Sequence, residues 1–164
     1  MAESDSPKGD SPAAATDSET PQFAIQRSYV KDLSLETPMG VKVFTQAFQP
    51  SVSLDISTRA NTVADNMYEV VLTVTVTAKV EEETAYLVEL QQAGLFAISG
   101  FPEERLPHVL GAVCPNFLFP YARELADSTV VRGGFPPLSL APIDFDALFR
   151  SKQQPAAEQG ASIN

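Results

Sequence analysis

The chain has 164 residues, of which 44% are apolar and 20% are charged, and its formal net charge at pH 7 is −10. This length and composition fit one globular domain with a sizeable core. The negative charge disfavours binding to nucleic acid or to an anionic membrane surface, and the single cysteine excludes an intrachain disulfide and a multi-cysteine zinc site.

The two ends of the chain differ in composition from its middle. Residues 1–22 are rich in Ser, Ala, Pro and Asp, and residues 151–164 are similarly polar, so we expect a disordered N-terminal extension and a flexible C-terminal tail. The N-terminal residues lack the basic and apolar regions of a signal peptide. No apolar run approaches the ~18–20 residues that span a bilayer. We therefore expect a cytoplasmic protein with one domain over residues 23–150 and no direct membrane insertion.

The first half of this domain has the pattern of strands. Apolar and polar side chains alternate over residues 22–36, 51–58 and 68–80. An acidic turn at 81–83 leads into a fourth segment, 84–94, and so short a connection implies an antiparallel pair. In the first segment, one predicted face carries Phe23, Ile25, Tyr29, Leu33 and Leu35, and the other carries Gln26, Ser28, Asp32, Ser34 and Glu36.

Helical patterns follow the strands. Pro102 and the two acids after it are typical of a helix start. Residues 115–134 have apolar side chains at helical spacing and a terminating Gly133, with Pro120 expected in the first turn because it would break the hydrogen-bond ladder elsewhere. Asp144 is expected to cap a last short helix. The order of elements predicts an α+β fold, in which a four-stranded antiparallel sheet is followed by helices.

His108 and Cys114, the only histidine and the only cysteine, raise the question of a thiol enzyme. Such an enzyme needs a base within hydrogen-bond reach of the sulfur, but positions six apart on a helix point about 120° away from each other. Apolar residues surround Cys114 in the sequence, so both residues are expected to be buried or to lie at an interface. No metal-ligand spacing and no phosphate-binding glycine pattern is present in the sequence, so we expect no metal site.

A surplus of apolar side chains favours a binding module over an enzyme. Residues 37–50 form a long connection that carries aromatic residues, and such loops are often binding elements. The second strand and the last helix add two more apolar edges. Apolar surface that remains after folding indicates a partner.

Five stretches, taken in this order, resemble the SecB family of bacterial protein-export chaperones. They are "KDLSLETP", "YEVVLTVTVTA", "EETAYLVELQQAGLFAISG", "CPNFLFPYARE" and "LAPIDFDALF". The resemblance runs from about Phe23 to Arg150, and the fourth and fifth stretches, "CPNFLFPYARE" together with "PIDFDALF", are highly specific as a pair. It implies an ATP-independent holdase that captures unfolded precursor proteins and delivers them to the SecA motor, without a cofactor. It also implies a homotetramer built as a dimer of dimers.

The resemblance assigns roles to individual positions. The surface that docks SecA is expected at Asp32, Glu36, Leu87 and Glu89. The groove that binds the client is expected at Phe44, Phe48, Val52, Leu54, Ile56, Phe145, Leu148 and Phe149, and Phe48 stands where a Trp is usual. The oligomer interface is expected to involve Val88, Leu90 and Gln92.

Three other functional hypotheses are compatible with the sequence alone. One is a SecB-like chaperone dedicated to another client, such as the antitoxin of a toxin–antitoxin pair, which would share the grooves but would not need the acidic docking face. The second is an α+β enzyme that uses Cys114. The third is a domain that binds a small ligand.

Overall fold

The computed structural model describes residues 20–154, so most of the predicted N-terminal extension and of the C-terminal tail lies outside the described residues. Four strands come first along the chain: β1 (Gln22–Glu36), β2 (Ser51–Ala64), β3 (Met67–Val80) and β4 (Glu83–Ser99). They form one antiparallel sheet in the order β1-β4-β3-β2. The predicted four-stranded antiparallel sheet followed by helices is confirmed.

The helical half is one nearly continuous rod followed by a separate short helix. A 3-10 turn (Glu103–Arg105), a single α turn (α1, Leu106–His108), a π-helical turn (Val109–Val113) and the long helix α2 (Cys114–Arg132) follow one another without a break. A connection then leads to α3 (Phe145–Gln153), which continues three residues past the predicted domain end at Arg150. The β1–β2 connection contains a 3-10 helix (Gly40–Thr45).

The core lies between α2 and one face of the sheet. Most even-numbered residues of β3 and β4 point toward α2, and Val74 and Leu90 are fully buried examples. On the α2 side of this core, Leu118, Ala122 and Ala126 are also fully buried. We call this the helix-facing side of the sheet and the opposite side the outer face. On β1 and β2, which flank the covered strands, the helix-facing side keeps several apolar side chains exposed.

Strand β1 departs from the strict alternation that the sequence predicts. Its pairing with β4 shifts between Ile25 and Arg27 and again between Val30 and Asp32. Each β-bulge reverses which residues point to a given face. Tyr29 therefore lies on the outer face and Ser28 on the helix-facing side, which is the reverse of the prediction.

The prediction that Pro120 lies in a first helical turn is wrong. Pro120 is inside α2, because the helical rod begins upstream of Cys114 and Pro115 occupies the start of α2. A proline at this place removes one backbone hydrogen bond. The helix tolerates the loss because its opposite face is packed into the core through Leu118 and Ala122.

Candidate functional site

A groove runs along the helix-facing side of the edge strand β2. Its floor is formed by alternate side chains of β2, and each of these residues is directly opposite a core residue of β3. The row consists of Val52, Leu54, Ile56, Thr58 and Ala60. Val52 and Leu54 are 48% and 40% exposed. Within residues 20–154 the backbone of β2 pairs only with β3, so its other edge is open. At ~3.3 Å per residue, the row from Val52 to Ala60 is about 26 Å long.

Three adjoining cavities form this groove. The first, of about 510 Å³, lies between Leu54 and Ile56 of β2 and Ile143, Ala147 and Leu148. The second, of about 220 Å³, shares Ile56 and Leu148 with the first and reaches Gly111. The third, of about 400 Å³, shares Thr58 and Gly111 with the second and is lined further by Ala60, Leu106, Pro107 and Leu110. Because neighbouring cavities share lining residues, we treat them as one feature, the β2 groove.

Helix α3 forms the upper wall of the β2 groove and is fixed by four contacts. The Asp144 carboxylate caps the helix by accepting a hydrogen bond of 2.9 Å from the Ala147 amide. Phe145 is buried against Phe119 of α2, with ring centroids 5.7 Å apart.

The other two contacts hold α3 to the start of the helical rod. The ring of Phe149 lies directly over Gly111, where an added Cβ would come within 2.6 Å of the ring. Only glycine leaves room for this approach. Asp146 and His108 are joined at 2.5 Å between Oδ1 and Nε2. Leu148 and Phe149 are therefore held at the groove and Phe145 lies buried beside them in the same cavity, so the three predicted helix residues share one face.

An aromatic cluster lies beside the Val52 end of the groove. Phe44 and Phe48 of the β1–β2 connection both pack on Phe135, with centroid distances of 5.4 and 5.5 Å, and Phe135 packs on Tyr86 at 4.6 Å. Gly134 has a φ of +88° and sits under the ring of Phe44, where a Cβ would come within 3.2 Å. Phe44 keeps 55% of its surface exposed, so the cluster presents an aromatic face to solvent.

The connection that carries Phe44 is tied to the sheet by two contacts. Val43 is buried in the core. Lys42 forms an ion pair of 2.8 Å with Glu83 at the start of β4. The aromatic face is therefore held in place by one buried and one charged anchor on neighbouring residues.

The four residues expected to dock SecA converge on the outer face. Glu36 is directly opposite Leu87 in the β1–β4 ladder, and Glu89 is opposite Ser34. Asp32 is opposite Gln91, one step further along the same face. Directly opposite residues on neighbouring strands lie about 5 Å apart, so three carboxylates and one leucine form a compact acidic patch.

The three residues expected at the oligomer interface are covered within the subunit. Val88 and Leu90 are fully buried beneath α2, and Gln92 is 4% exposed. The Gln92 side chain donates a hydrogen bond of 2.9 Å from Nε2 to the Ser28 hydroxyl. None of the three side chains reaches the surface of the subunit. Any effect that they have on another subunit must therefore act through the residues packed against them.

His108 and Cys114 do not meet. Cys114 is fully buried, and this burial raises the pKa of its thiol to about 12, which keeps the sulfur protonated and unreactive at neutral pH. His108 is not buried within the subunit, because its side chain is 38% exposed and pairs with Asp146; its place at an interface between subunits stays a prediction. The pairing reflects the helical rod, which turns the two residues in different directions.

A second apolar area lies uncovered at the β1 side of the sheet. Ile25, Val30 and Leu33 point to the helix-facing side, and each is between 39% and 49% exposed. Phe117 and Tyr121 of α2 are exposed nearby in the same half of the molecule.

Among residues 20–154 no group of three or more His, Cys, Asp and Glu is arranged to hold a metal ion. In the same range, no helix has the length and apolar character needed to cross a bilayer.

Sequence reasoning missed Phe135, Leu106 and Leu110. Phe135 is the residue on which both loop aromatics pack, and its place after two glycines and before two prolines was the only local indication that it is held outside a helix. Leu106 and Leu110 line the third cavity. Their i, i+4 spacing places them on one helix face, but no pattern in the sequence predicts that this face packs against β2.

Comparison with known proteins identifies the family. A family model described as preprotein translocase subunit SecB matches residues 16–156. The chain is 50% identical over 153 residues to the protein-export protein SecB of Ectopseudomonas mendocina, covering 93% of this chain and 95% of that protein. It is 52% identical over 138 residues to that of Methylococcus capsulatus, covering 84% and 89%.

A solved structure supports the same fold. The SecB-like chaperone of Mycobacterium tuberculosis, in complex with a ChAD peptide from the HigA1 antitoxin, superposes with a TM-score of 0.59 at 16% identity, covering 74% of this chain and 87% of that one. The architecture thus agrees with the family that the sequence matches over most of its length. The chain belongs to the SecB family of preprotein translocase subunits.

Proposed function

We propose that this protein is an ATP-independent export chaperone of the cytoplasm, not an enzyme, that holds unfolded precursor proteins and passes them to SecA. The observation that carries the proposal is the β2 groove with its adjoining aromatic cluster. It offers a row of apolar side chains about 26 Å long beside an open strand edge. An extended client can add backbone hydrogen bonds to the edge while its alternate side chains enter the cavities.

The groove suits clients that are unfolded rather than folded. A chain of about eight residues spans it in extended form, and a folded client keeps most of its apolar side chains and backbone hydrogen bonds inside its own fold. A protein that binds only the unfolded state delays folding by mass action. This mechanism requires neither a nucleotide nor a catalytic group, which agrees with the buried, protonated thiol of Cys114.

The acidic patch supports delivery to SecA. Asp32, Glu36 and Glu89 stand on the outer face with Leu87 among them, on the side of the sheet opposite the β2 groove. A partner with basic groups can therefore bind the patch while a client occupies the groove. Carboxylates in this setting steer association, and their effect falls with salt.

The uncovered apolar area on β1 and α2 supports assembly into a homotetramer. Ile25, Val30 and Leu33 lie on an edge strand, where a second copy can continue the sheet and cover them. Phe117 and Tyr121 offer a further apolar face on α2. Val88, Leu90 and Gln92 bear on this assembly indirectly, because they support α2 and β1 from within the subunit.

The test is the refolding of a slow-folding precursor in the presence of stoichiometric protein without nucleotide. The parent protein is expected to slow refolding. Leu54→Glu puts a charge in the groove and removes an apolar contact worth about 2 kcal/mol, so the concentration needed for the same delay should rise tenfold or more. Ser53→Glu is the matched control, since it adds the same charge to the adjacent residue on the outer face.

Two results would contradict the proposal. Unassisted refolding in the presence of the parent protein would exclude holdase activity, and equal effects of Leu54→Glu and Ser53→Glu would exclude the β2 groove as the client site. Asp32→Ala with Glu89→Ala should weaken SecA binding and leave the refolding delay intact. Glu81→Ala with Glu82→Ala, which removes two charges from the exposed β3–β4 turn, serves as its control. If the parent delays refolding but SecA binding is undetectable, the chaperone serves another client, such as an antitoxin.

A further inference from the structure

The segment Arg27–Val30 of β1 is out of phase with the rest of its strand. Ile25 pairs with Phe96 and Arg27 with Leu95, so Gln26 has no partner on β4. Val30 pairs with Gln92 and Asp32 with Gln91, so Lys31 has none either. The two bulges cancel outside the segment, and only the four residues between them are inverted.

A buried hydrogen bond holds the inverted segment on the helix-facing side. Gln92 is 4% exposed, and its amide donates to the Ser28 hydroxyl. If β1 lost both bulges and kept the register of Asp32 and Leu33, Ser28 would stand opposite Leu95 and point to the outer face. The Gln92 amide would then be buried without its partner, which proteins strongly avoid.

A charged cluster holds the same segment on the outer face. Glu69 of β3 accepts hydrogen bonds from the Tyr29 hydroxyl and from Lys31, the latter at 2.7 Å, and its side chain is only 17% exposed. The hydrogen bond from Lys31 is the largest influence that lowers the pKa of Glu69, and the bond to Glu69 raises the pKa of Tyr29. In a regular strand Tyr29 would face the helices and could not reach Glu69.

The inversion decides which side chain joins the apolar row of β1. Val30 points to the helix-facing side between Ile25 and Leu33 and is 49% exposed. Without the bulges, Tyr29 would occupy that side and Val30 would face outward. Three aliphatic side chains on an open edge strand suit coverage by a second copy of the same strand, and this argument rests on the assembly proposed above.

We propose that Glu69 and Gln92 are positioning residues that hold the Arg27–Val30 segment in its inverted phase, so that Val30 completes the apolar row that a second copy of the chain covers. Glu69 acts from the outer face and Gln92 from the core, and neither touches the second copy. The route from Gln92 to assembly therefore runs through Ser28 and the strand phase.

The strand phase can be read directly with paired cysteines in full-length protein carrying Cys114→Ala. Arg27→Cys with Leu95→Cys places two thiols directly opposite each other only in the inverted phase. Ser34→Cys with Glu89→Cys lies in the unaffected half of the strand and is the control pair. Each pair is oxidised mildly in the parent and in Glu69→Ala with Gln92→Leu.

We expect the 27–95 disulfide yield to fall several-fold in the double variant while the 34–89 yield stays constant. Without cysteine pairs, the same double variant should show a dissociation constant for assembly raised about tenfold or more by sedimentation velocity. Glu83→Ala removes the comparable ion pair between Glu83 and Lys42 and should change neither reading.

Each outcome bears on the proposal. An unchanged 27–95 yield overturns the positioning role, and a lowered yield with unchanged assembly overturns its link to the second copy. If the 34–89 yield falls as well, the sheet has been damaged. Ser28→Ala with Tyr29→Phe, which removes two of the three hydrogen bonds and leaves the one between Lys31 and Glu69, is then judged by the same two outcomes. A parent that assembles as expected but does not delay precursor refolding contradicts the proposed function alone.

Discussion

Replacing Gly111 with alanine tests whether α3 is seated as the structure shows. The added Cβ would lie 2.6 and 2.7 Å from two carbons of the Phe149 ring, so the ring must move by about 1 Å to restore an ordinary contact. Overpacking of this kind costs about 1–3 kcal/mol. Alanine in place of glycine within a helix returns about 1 kcal/mol. The expected net effect is a loss of about 0–2 kcal/mol in the free energy of unfolding.

The sign should reverse when the ring is absent. In a Phe149→Ala background the clash disappears and only the helical preference of alanine remains, so Gly111→Ala should stabilise by about 1 kcal/mol. The coupling between the two substitutions is then about 1–3 kcal/mol. Urea unfolding followed by circular dichroism measures all four proteins, at one fixed protein concentration because assembly contributes to apparent stability.

The same substitution should be visible in function. A displaced Phe149 intrudes on the β2 groove or detaches α3, so Gly111→Ala should shorten the delay of precursor refolding. Additivity of the two substitutions within about 0.5 kcal/mol would refute the seating of Phe149 on Gly111. An unchanged refolding delay in a protein that does show the coupling would refute the role of this wall in client binding.

Three further outcomes are expected. Stability should fall by about 1.4 kcal/mol per pH unit as the pH rises from 9 toward 12, because the unfolded thiol of Cys114 loses its proton while the folded one keeps it; denaturant titrations should show a shallower fall for Cys114→Ala. Glu81→Gly should stabilise by about 1 kcal/mol, since Glu81 has a φ of +56°, whereas Asn66→Gly at the same backbone conformation should change thermal unfolding by less than half as much. Asp144→Ala should cost about 1 kcal/mol by removing the cap on the Ala147 amide, and urea unfolding that matches the parent would contradict that contact.

Periodicity predicted the sheet and the convergence of Asp32 and Glu36, because alternation is a local property that the sequence displays. It could not predict the inverted segment at Ser28 and Tyr29, since a bulge leaves no mark on composition and its partners, Gln92 and Glu69, lie on other strands. The last helix was predicted with its cap, and its face was correct.

The groove was predicted only in part. The row on β2 and the face of α3 follow from spacing, whereas Phe135, Leu106 and Leu110 reach the site through tertiary packing. Pro120 was placed wrongly for a similar reason, because the helical rod starts at Glu103 through a turn that has no regular period. Long-range contacts and irregular turns were the parts that the sequence pattern did not contain.

The π-helical turn at Val109–Val113 makes the number of residues in the rod as important as their identity. A π turn holds one residue more than an α turn, so it rotates everything before it by about 100° relative to α2. Leu106 faces the β2 groove on one side of this turn, and Leu118 faces the core on the other. Deleting a single residue between 109 and 113 would restore a regular helix and swing Leu106 away from β2 while α2 kept its core contacts. The loss of one codon would thus move the whole Leu106 turn away from one end of the groove, whereas a substitution of Leu106 would change only its side chain there.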